Sequence, residues 1–310
     1  MKIKNNVPLS KVSWLSNSYD GIGCVRNFFL PENLDELFEL IIRFYENKER
    51  YLIAGHTSNM YFMPDYICDN MISTKLLDKY SVCGNMLICE CGVKVSTLAK
   101  KLVDQGFSGF EGLVDLPGTI GGGIYGNAGC YCCHVADNLV KVDILNCSGK
   151  MLTLSKEDLH YSVRSSIFKR KEMHGIIIRA YFKLEKGNNE QLKRIAAKNH
   201  EDRIKTQPGP AHNLGSIYAQ EEPTSLFYIV RALSHLYGIA LRAMGKKNIK
   251  TKRKNFELVL MGGQKLIPYV YSWNRFIWKD KHAHEMFWKY DSIHSKLFKN
   301  SKFEIEIYWK

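Results

Sequence analysis

Residues 106–129 read GFSGFEGLVDLPGTIGGGIYGNAG: a Pro117-Gly118 turn, three glycines in succession at Gly121, Gly122 and Gly123, and a closing Asn127-Ala128-Gly129. Glycine occurs this densely where a backbone must reach unusual dihedrals or let another body lie directly against it. Successive free N–H groups in such a loop make a concave anion site. Composition alone also allows a set of unrelated tight turns. No Lys-Ser/Thr follows the glycines, so the stretch is no P-loop, and the GxGxxG order of a Rossmann turn is missing. The expectation is a seat for something flat and phosphorylated.

The bulk numbers widen that expectation. A chain of 310 residues that is 45% hydrophobic can build a real core and two or three domains. Its net charge of +13 implies anionic partners: nucleic acid, a membrane surface or phosphate-bearing small molecules. The basic residues are dispersed except in residues 246–254, KKNIKTKRK, which read as a solvated face or, more sharply, a phosphate-binding patch. No RNP, zinc-finger or helix-turn-helix signature accompanies them, so no nucleic-acid partner is expected. The nine cysteines are odd in number and lack disulfide-scaffold spacing. The first residues, MKIKNNVPLS, contain no apolar signal core. No run reaches the length of a membrane span. Reduced thiols in a cytoplasmic protein are the resulting expectation. Neither Tyr131-Cys132-Cys133 nor the Cys89/Cys91 pair has CxxC spacing, and no metal site is expected. Nothing in the pattern specifies an oligomeric state.

Along the chain, Pro31-Glu32-Asn33-Leu34 opens a helix with Leu34, Leu37, Phe38, Ile41, Ile42 and Tyr45 on one side. A strand at 51–54 runs into the polar turn Gly55-His56-Thr57-Ser58-Asn59, a common place for a cofactor phosphate. His56 there reads as a hydrogen-bonding turn residue. A strand or hairpin is expected around Gly84-Asn85, and a helix from Val95 to Gln105 closed by Gly106. Strands follow at 140–145, 151–154 and 175–184. The first 190 or so residues are therefore α+β, without βαβ repetition. A charged helix runs from Glu190 to about Lys205 and is broken by Gln207-Pro208-Gly209-Pro210. Residues 225–244 read as one or two helices, 255–261 as a strand, 280–298 as a helix and 303–309 as a last alternating strand.

Several of these pieces carry a family resemblance. Leu116 to Tyr131, LPGTIGGGIYGNAGCY, closely resembles the flavin-binding motif of the UDP-N-acetylenolpyruvoylglucosamine reductases, the MurB-type family also called UDP-N-acetylmuramate dehydrogenases. In the same order, Val7-Pro8-Leu9 with Gly21-Ile22-Gly23 resembles the family's opening segment, and Gly55–Asn59 its GGGSN turn. Val163–Phe168 resembles its YRxSxF motif, Gly215-Ser216 its serine loop, and Glu304-Ile305-Glu306-Ile307 its closing LExEV strand. The likeness covers about residues 1 to 220 and the very end, and is weak from 221 to 300. His56, Thr57 and Asp115 stand where the family usually has glycine, Val163 where it has tyrosine. Ala219, Gln220 and Glu221 depart from its Lys-Asn-Pro run, and Lys254-Asn255-Phe256 resembles its HxNF segment with diverged flanks.

The resemblance implies a fold: an FAD-binding PCMH/vanillyl-alcohol-oxidase-type two-part flavin domain (1–75 and 76–190), a C-terminal α+β substrate domain (191–300), and a terminal strand (301–310) returning to the active site. It implies that FAD is held by Gly55, His56, Thr57, Ser58 and Asn59 and by Pro117, Gly118, Thr119, Gly122, Gly123 and Gly129, with Asn127 supporting the turn. NADPH reduces the flavin and leaves, and the enolpyruvyl ether of a UDP-sugar takes its place. Hydride addition there builds negative charge beside a carboxylate, which calls for a fixed guanidinium. Arg164 matches that arginine, Ser216 the proton-donating serine and Glu306 the family's carboxyl. Glu304 is its close competitor, since both share a face of an alternating strand. The implied activity is peptidoglycan precursor synthesis. The alternative is a MurB-like FAD oxidoreductase acting on a different nucleotide sugar in surface-polysaccharide synthesis.

Overall fold

The computed structural model describes residues 1–209 and 212–309. Pro210, expected to help break the long charged helix, lies outside the described residues, as does Lys310.

The N-terminal sheet has four strands in the order Lys2–Pro8, Cys24–Leu30, Ile67–Ser73, Leu52–Ala54. The first pair is antiparallel and the others are parallel. Parallel neighbours need a crossover, and the helix Leu34–Glu46 supplies it, capped by Asn33 Oδ1 accepting from Glu36 N at 2.9 Å. This helix buries Leu37, Leu40, Ile41 and Phe44 and leaves Ile42 and Tyr45 exposed. The expected stripe is thus rotated by part of a turn. Apolar residues occupy so many positions here that several stripes satisfy the period, and packing selects among them.

A second, five-stranded antiparallel sheet runs Met151–Ser155, Leu139–Leu145, Ile176–Lys183, Met86–Glu90, Tyr80–Cys83. Strand alternation sends Phe29 and Ile72 of the first sheet into the core shared with this second sheet. Their neighbours Phe28 and Met71 point the other way, into a core built with the C-terminal third. The inner strands Cys24–Leu30 and Ile67–Ser73 of the first sheet thus feed both cores, while the edge strand Lys2–Pro8 stays exposed.

The C-terminal third holds the helices Asn189–Thr206, Ser225–Ala243, Ile249–Leu260 and Ala283–Leu297. The expected strand at 255–261 is instead part of the helix Ile249–Leu260. Leu258 is fully buried there, and Phe256 stacks on Tyr237 of the preceding helix at 4.4 Å between centroids. Partners distant in sequence override the short alternating pattern. Glu257, also buried, pairs with Arg231 at 3.0 Å and accepts from Trp273 Nε1 at 2.8 Å. Glu257→Ala leaves both donors unpartnered. The expected loss is about 2–3 kcal/mol, below the usual range for breaking a buried pair because Arg231 can rehydrate; a urea unfolding midpoint measures it.

An aromatic cluster of Tyr61, Phe276, Trp278 and Phe287 joins the C-terminal third to the strand Met60–Phe62. Inside it His284 Nε2 lies 2.9 Å from Ser18 O, and Nδ1 lies 3.0 Å from Tyr61 Oη. A carbonyl only accepts, so Nε2 carries the proton and Tyr61 donates to Nδ1. Burial lowers the His284 pKa and keeps the ring neutral.

The last strand also departs from expectation. Phe298–Phe303 pairs antiparallel with Tyr218–Pro223. The chain then bends at Glu304-Ile305, and Glu306–Tyr308 pairs parallel with Met60–Phe62. Ile305 is buried at the bend. Two different partners, rather than one continuous ladder, receive the end of the chain.

Candidate active site

One large cleft, about 1270 Å³, runs between the two sheets and the C-terminal third. Its walls include every candidate cofactor-binding and catalytic residue except Asn127: the turn Gly55–Asn59, Pro117 to Thr119, Gly122, Gly123, Gly129, Arg164, Ser216, Glu304 and Glu306.

The glycine stretch forms its floor. Gly118 adopts φ +107°, a conformation that excludes most side chains, and a Cβ there would lie 2.9 Å from Ser58 Oγ. Thr119 then caps the short helix Ile120–Tyr125, its Oγ1 accepting from Gly122 N at 3.3 Å. The anion nest expected from free amides is not what the run provides. Ile120 N donates to Val93 O, Gly121 N to Cys91 O and Gly123 N to Thr119 O, at 2.8–2.9 Å. The three glycines serve different purposes. A Cβ at Gly121 would come within 2.8 Å of Cys91 Cβ, and one at Gly123 within 2.8 Å of Val135 Cγ2. These two let the helix pack against its neighbours. Gly122 is exposed to the cleft, and a Cβ would meet only Thr119 Oγ1 at 3.4 Å. Gly123→Ala is expected to cost about 1–3 kcal/mol by overpacking, whereas Gly122→Ala leaves the melting temperature nearly unchanged; parallel thermal melts test this division.

The polar turn fits beside it. Thr57 takes a left-handed φ of +54°, costly for a β-branched residue. Its hydroxyl accepts from Trp14 N at 2.7 Å and lies 3.1 Å from Val12 O, which holds the turn against the N-terminal segment. Threonine in a glycine-like conformation is thus tied down by its own side chain. Burial, followed by the charges of Lys94 and Lys75, lowers the His56 pKa, so this ring is neutral at neutral pH. Asp115, the other departure from glycine, lies 2.9 Å from His200 on the long helix.

Arg164 sits at φ +53° in a turn strapped to the glycine loop. Asn127 Nδ2 donates to Ser162 O at 3.0 Å, and Ser166 Oγ donates to Tyr125 O at 2.7 Å. The guanidinium donates to Asn127 O at 3.3 Å and Gly129 O at 2.7 Å, and its Nε lies 3.0 Å from Glu304 Oε1. Asn127 therefore buttresses the arginine from outside the cleft. Glu304 is the carboxylate paired to Arg164, while Glu306 pairs with Lys169 at 3.2 Å. Lys169 also donates to Glu304 O at 2.8 Å, as does Asn59 Nδ2 at 3.0 Å. Burial raises the Glu304 pKa, and Arg164 and then Lys169 oppose it.

Ser216 lies on a half-buried loop just before the strand Tyr218–Pro223. Asn213 Oδ1 accepts from Gly215 N at 2.9 Å, and Asn274 Oδ1 accepts from Ile217 N and Tyr218 N at 2.9 and 2.7 Å. Glu304 N donates to Ile217 O at 2.8 Å, which ties the serine loop to the carboxylate bend. Lys169, Arg203 and Arg275 also line the cleft and were not anticipated from sequence. Lys169 directly follows the VRSSIF motif, the one signal that could have marked it.

Comparison with known proteins fits this geometry. Residues 25–155 match the FAD binding domain family. The UDP-N-acetylenolpyruvoylglucosamine reductase of Pseudothermotoga lettingae is 30% identical over 234 residues, 76% of this chain and 78% of that protein. The enzyme of the same name from Thermosipho melanesiensis is 29% identical over 83% of this chain and 85% of its own length. The crystal structure of UDP-N-acetylenolpyruvylglucosamine reductase (MurB) from Thermus caldophilus superposes over 100% of both chains with a TM-score of 0.69 at 18% identity, which establishes the common α+β fold. A relative 30% identical over most of both chains makes this protein a member of the UDP-N-acetylenolpyruvoylglucosamine reductase family.

Proposed function

We propose that the chain is an NADPH-dependent flavoenzyme that reduces the enolpyruvyl ether of UDP-N-acetylglucosamine enolpyruvate to UDP-N-acetylmuramate, a peptidoglycan precursor, in the cytoplasm. The observation that carries the reading is the junction of Arg164 with Glu304, and of Lys169 with Glu306, at the wall of a glycine-floored cleft. The cleft suits FAD: Gly122 offers a face without side chains, and the volume is larger than the roughly 300–1,000 Å³ of an ordinary ligand pocket. That leaves room for a second ligand beside the cofactor, so NADPH and the UDP-sugar bind there in turn. The named relatives favour this substrate over another nucleotide sugar. The two sheets correspond in this reading to the two flavin-holding parts, 1–75 and 76–190, with 191–300 closing over the sugar and 301–310 returning to the site.

Bound FAD, held by the Gly55–Asn59 turn and the glycine-rich floor, would supply the hydride chemistry between NADPH and the terminal enolpyruvyl carbon. The residues do the rest. Arg164 holds the substrate carboxylate and stabilises the negative charge that develops beside it. Lys169 adds a second cation. Ser216 delivers a proton to the adjacent carbon, which completes the lactyl ether. Glu304 and Glu306 keep the two cations in place, and Glu306 assists the enol form.

Single-turnover reoxidation tests the proposal. Protein reduced anaerobically by NADPH is mixed with UDP-N-acetylglucosamine enolpyruvate, and flavin absorbance is followed. Strong acceleration is expected; none would sink the substrate assignment. Arg164→Lys retains charge but loses the planar fork bonded to Asn127 O and Gly129 O. Reoxidation is then expected to fall by about 10²-fold.

A further inference from the structure

We propose that the helix Ser225–Ala243, with the basic segment after it, seats the protein on an anionic lipid surface. This helix is apolar nearly all round. Val230, Ser234, Gly238 and Leu241 face the protein. On the other side Leu226, Ile229, Leu233, Leu236 and Ile239 are 38, 57, 44, 63 and 49% exposed. At helical spacing these five fall within an arc of about 140°. Monomeric proteins seldom expose large apolar side chains in such a contiguous run, and a run of this kind marks an interaction surface.

Charge decides what covers it. From residue 223 to residue 256 the chain has eight Lys or Arg and no Asp or Glu. Arg231, Arg253 and Lys254 are already bonded, to Glu257, to Ser234 and to Val270 O. Arg242, Lys246, Lys247 and Lys250 are exposed where the helix ends. The exposed charge is thus wholly positive, the complement of acidic headgroups rather than of a like surface. A second copy of the chain would set one such cation cluster facing another. The acids nearest the opposite end, Glu221 and Glu222, are already paired with His294 and Lys299. Among the described residues no helix is long and apolar enough to cross a membrane. With Arg231 and Arg242 on its polar edge, this helix would lie in the interface, its leucines among the upper acyl chains.

The test uses the full chain with its flavin and two sets of vesicles, phosphatidylcholine alone and phosphatidylcholine mixed with phosphatidylglycerol. Co-sedimentation is expected only with the phosphatidylglycerol vesicles, weakening as salt rises. Two variants separate the contributions: Leu233→Ser with Leu236→Ser, and Lys246→Gln with Lys247→Gln and Lys250→Gln. Each is expected to lower the bound fraction at least about tenfold while the flavin stays bound. Absence of binding to phosphatidylglycerol vesicles, or equal binding to neutral ones, would overturn the proposal. So would a lipid-free dimer, seen by light scattering, that the double serine variant turns into monomer; that result would assign the face to self-association.

Discussion

Replacing Ser216 with alanine is expected to separate the two half-reactions. Flavin reduction by NADPH should remain within about twofold of the parent rate, while reoxidation by the enolpyruvyl substrate falls by about 10²–10⁴-fold. The difference follows from where the serine loop gets its shape. Gly215 N, Ile217 N and Tyr218 N are held by Asn213 and Asn274, and Ile217 O by Glu304 N. None of these bonds uses the Ser216 hydroxyl, so alanine removes the proposed proton donor without moving the loop. Hydride transfer into the flavin needs no proton at that position. Protonation of the substrate carbon does, and water cannot be positioned as the hydroxyl was. Stopped-flow absorbance resolves the two phases separately. Equal slowing of both would show that the residue acts on binding or folding instead. Ser216→Cys, which keeps a proton near the same place, should recover part of the loss.

Gly122→Val is expected to give a folded but colourless protein. Valine is favoured over glycine in a helix by a few tenths of a kcal/mol, and the nearest atom to a new Cβ is Thr119 Oγ1, 3.4 Å away. Stability should therefore hold. The added methyl groups project into the cleft, onto the face proposed to seat the flat cofactor. The ratio of flavin to protein absorbance reads the outcome, and circular dichroism confirms the fold. A full flavin load in this variant would mean that the glycine run serves packing alone. The contrast with Gly123→Ala matters here, because that variant is expected to fail through collision with Val135 rather than through loss of cofactor space.

Much of this was legible beforehand because it depends on short range. The helix opened by Pro31-Glu32-Asn33-Leu34, the helix closed by Gly106 and the extended pairing around Gly84-Asn85 follow from neighbours a few residues apart. Segment 255–261 reads as a strand yet folds as part of a helix for the opposite reason. Its short apolar run fits either period, and Tyr237, Arg231 and Trp273, which settle it, lie elsewhere in the chain. Similarly, the bend at Glu304-Ile305 is invisible in an alternating FEIEIYW. It appears only because Phe303 ends one ladder beside Tyr218 and Glu306 starts another beside Met60.

Glycine density and the family resemblance, both carried by the chain's own order of residues, were enough to mark the α+β class, the FAD cofactor and the side chains proposed to react. Folding sets where those side chains stand and what they pair with. All three adjacent glycines line the cleft, yet it left side-chain space only at Gly122 and set the Cβ positions of Gly121 and Gly123 against Cys91 and Val135. It paired Arg164 with Glu304 and Lys169 with Glu306, across more than 130 residues of sequence. Such pairings are set by which strand the returning chain meets and in what register, and that register is fixed by packing between distant segments rather than by the local pattern of any one of them.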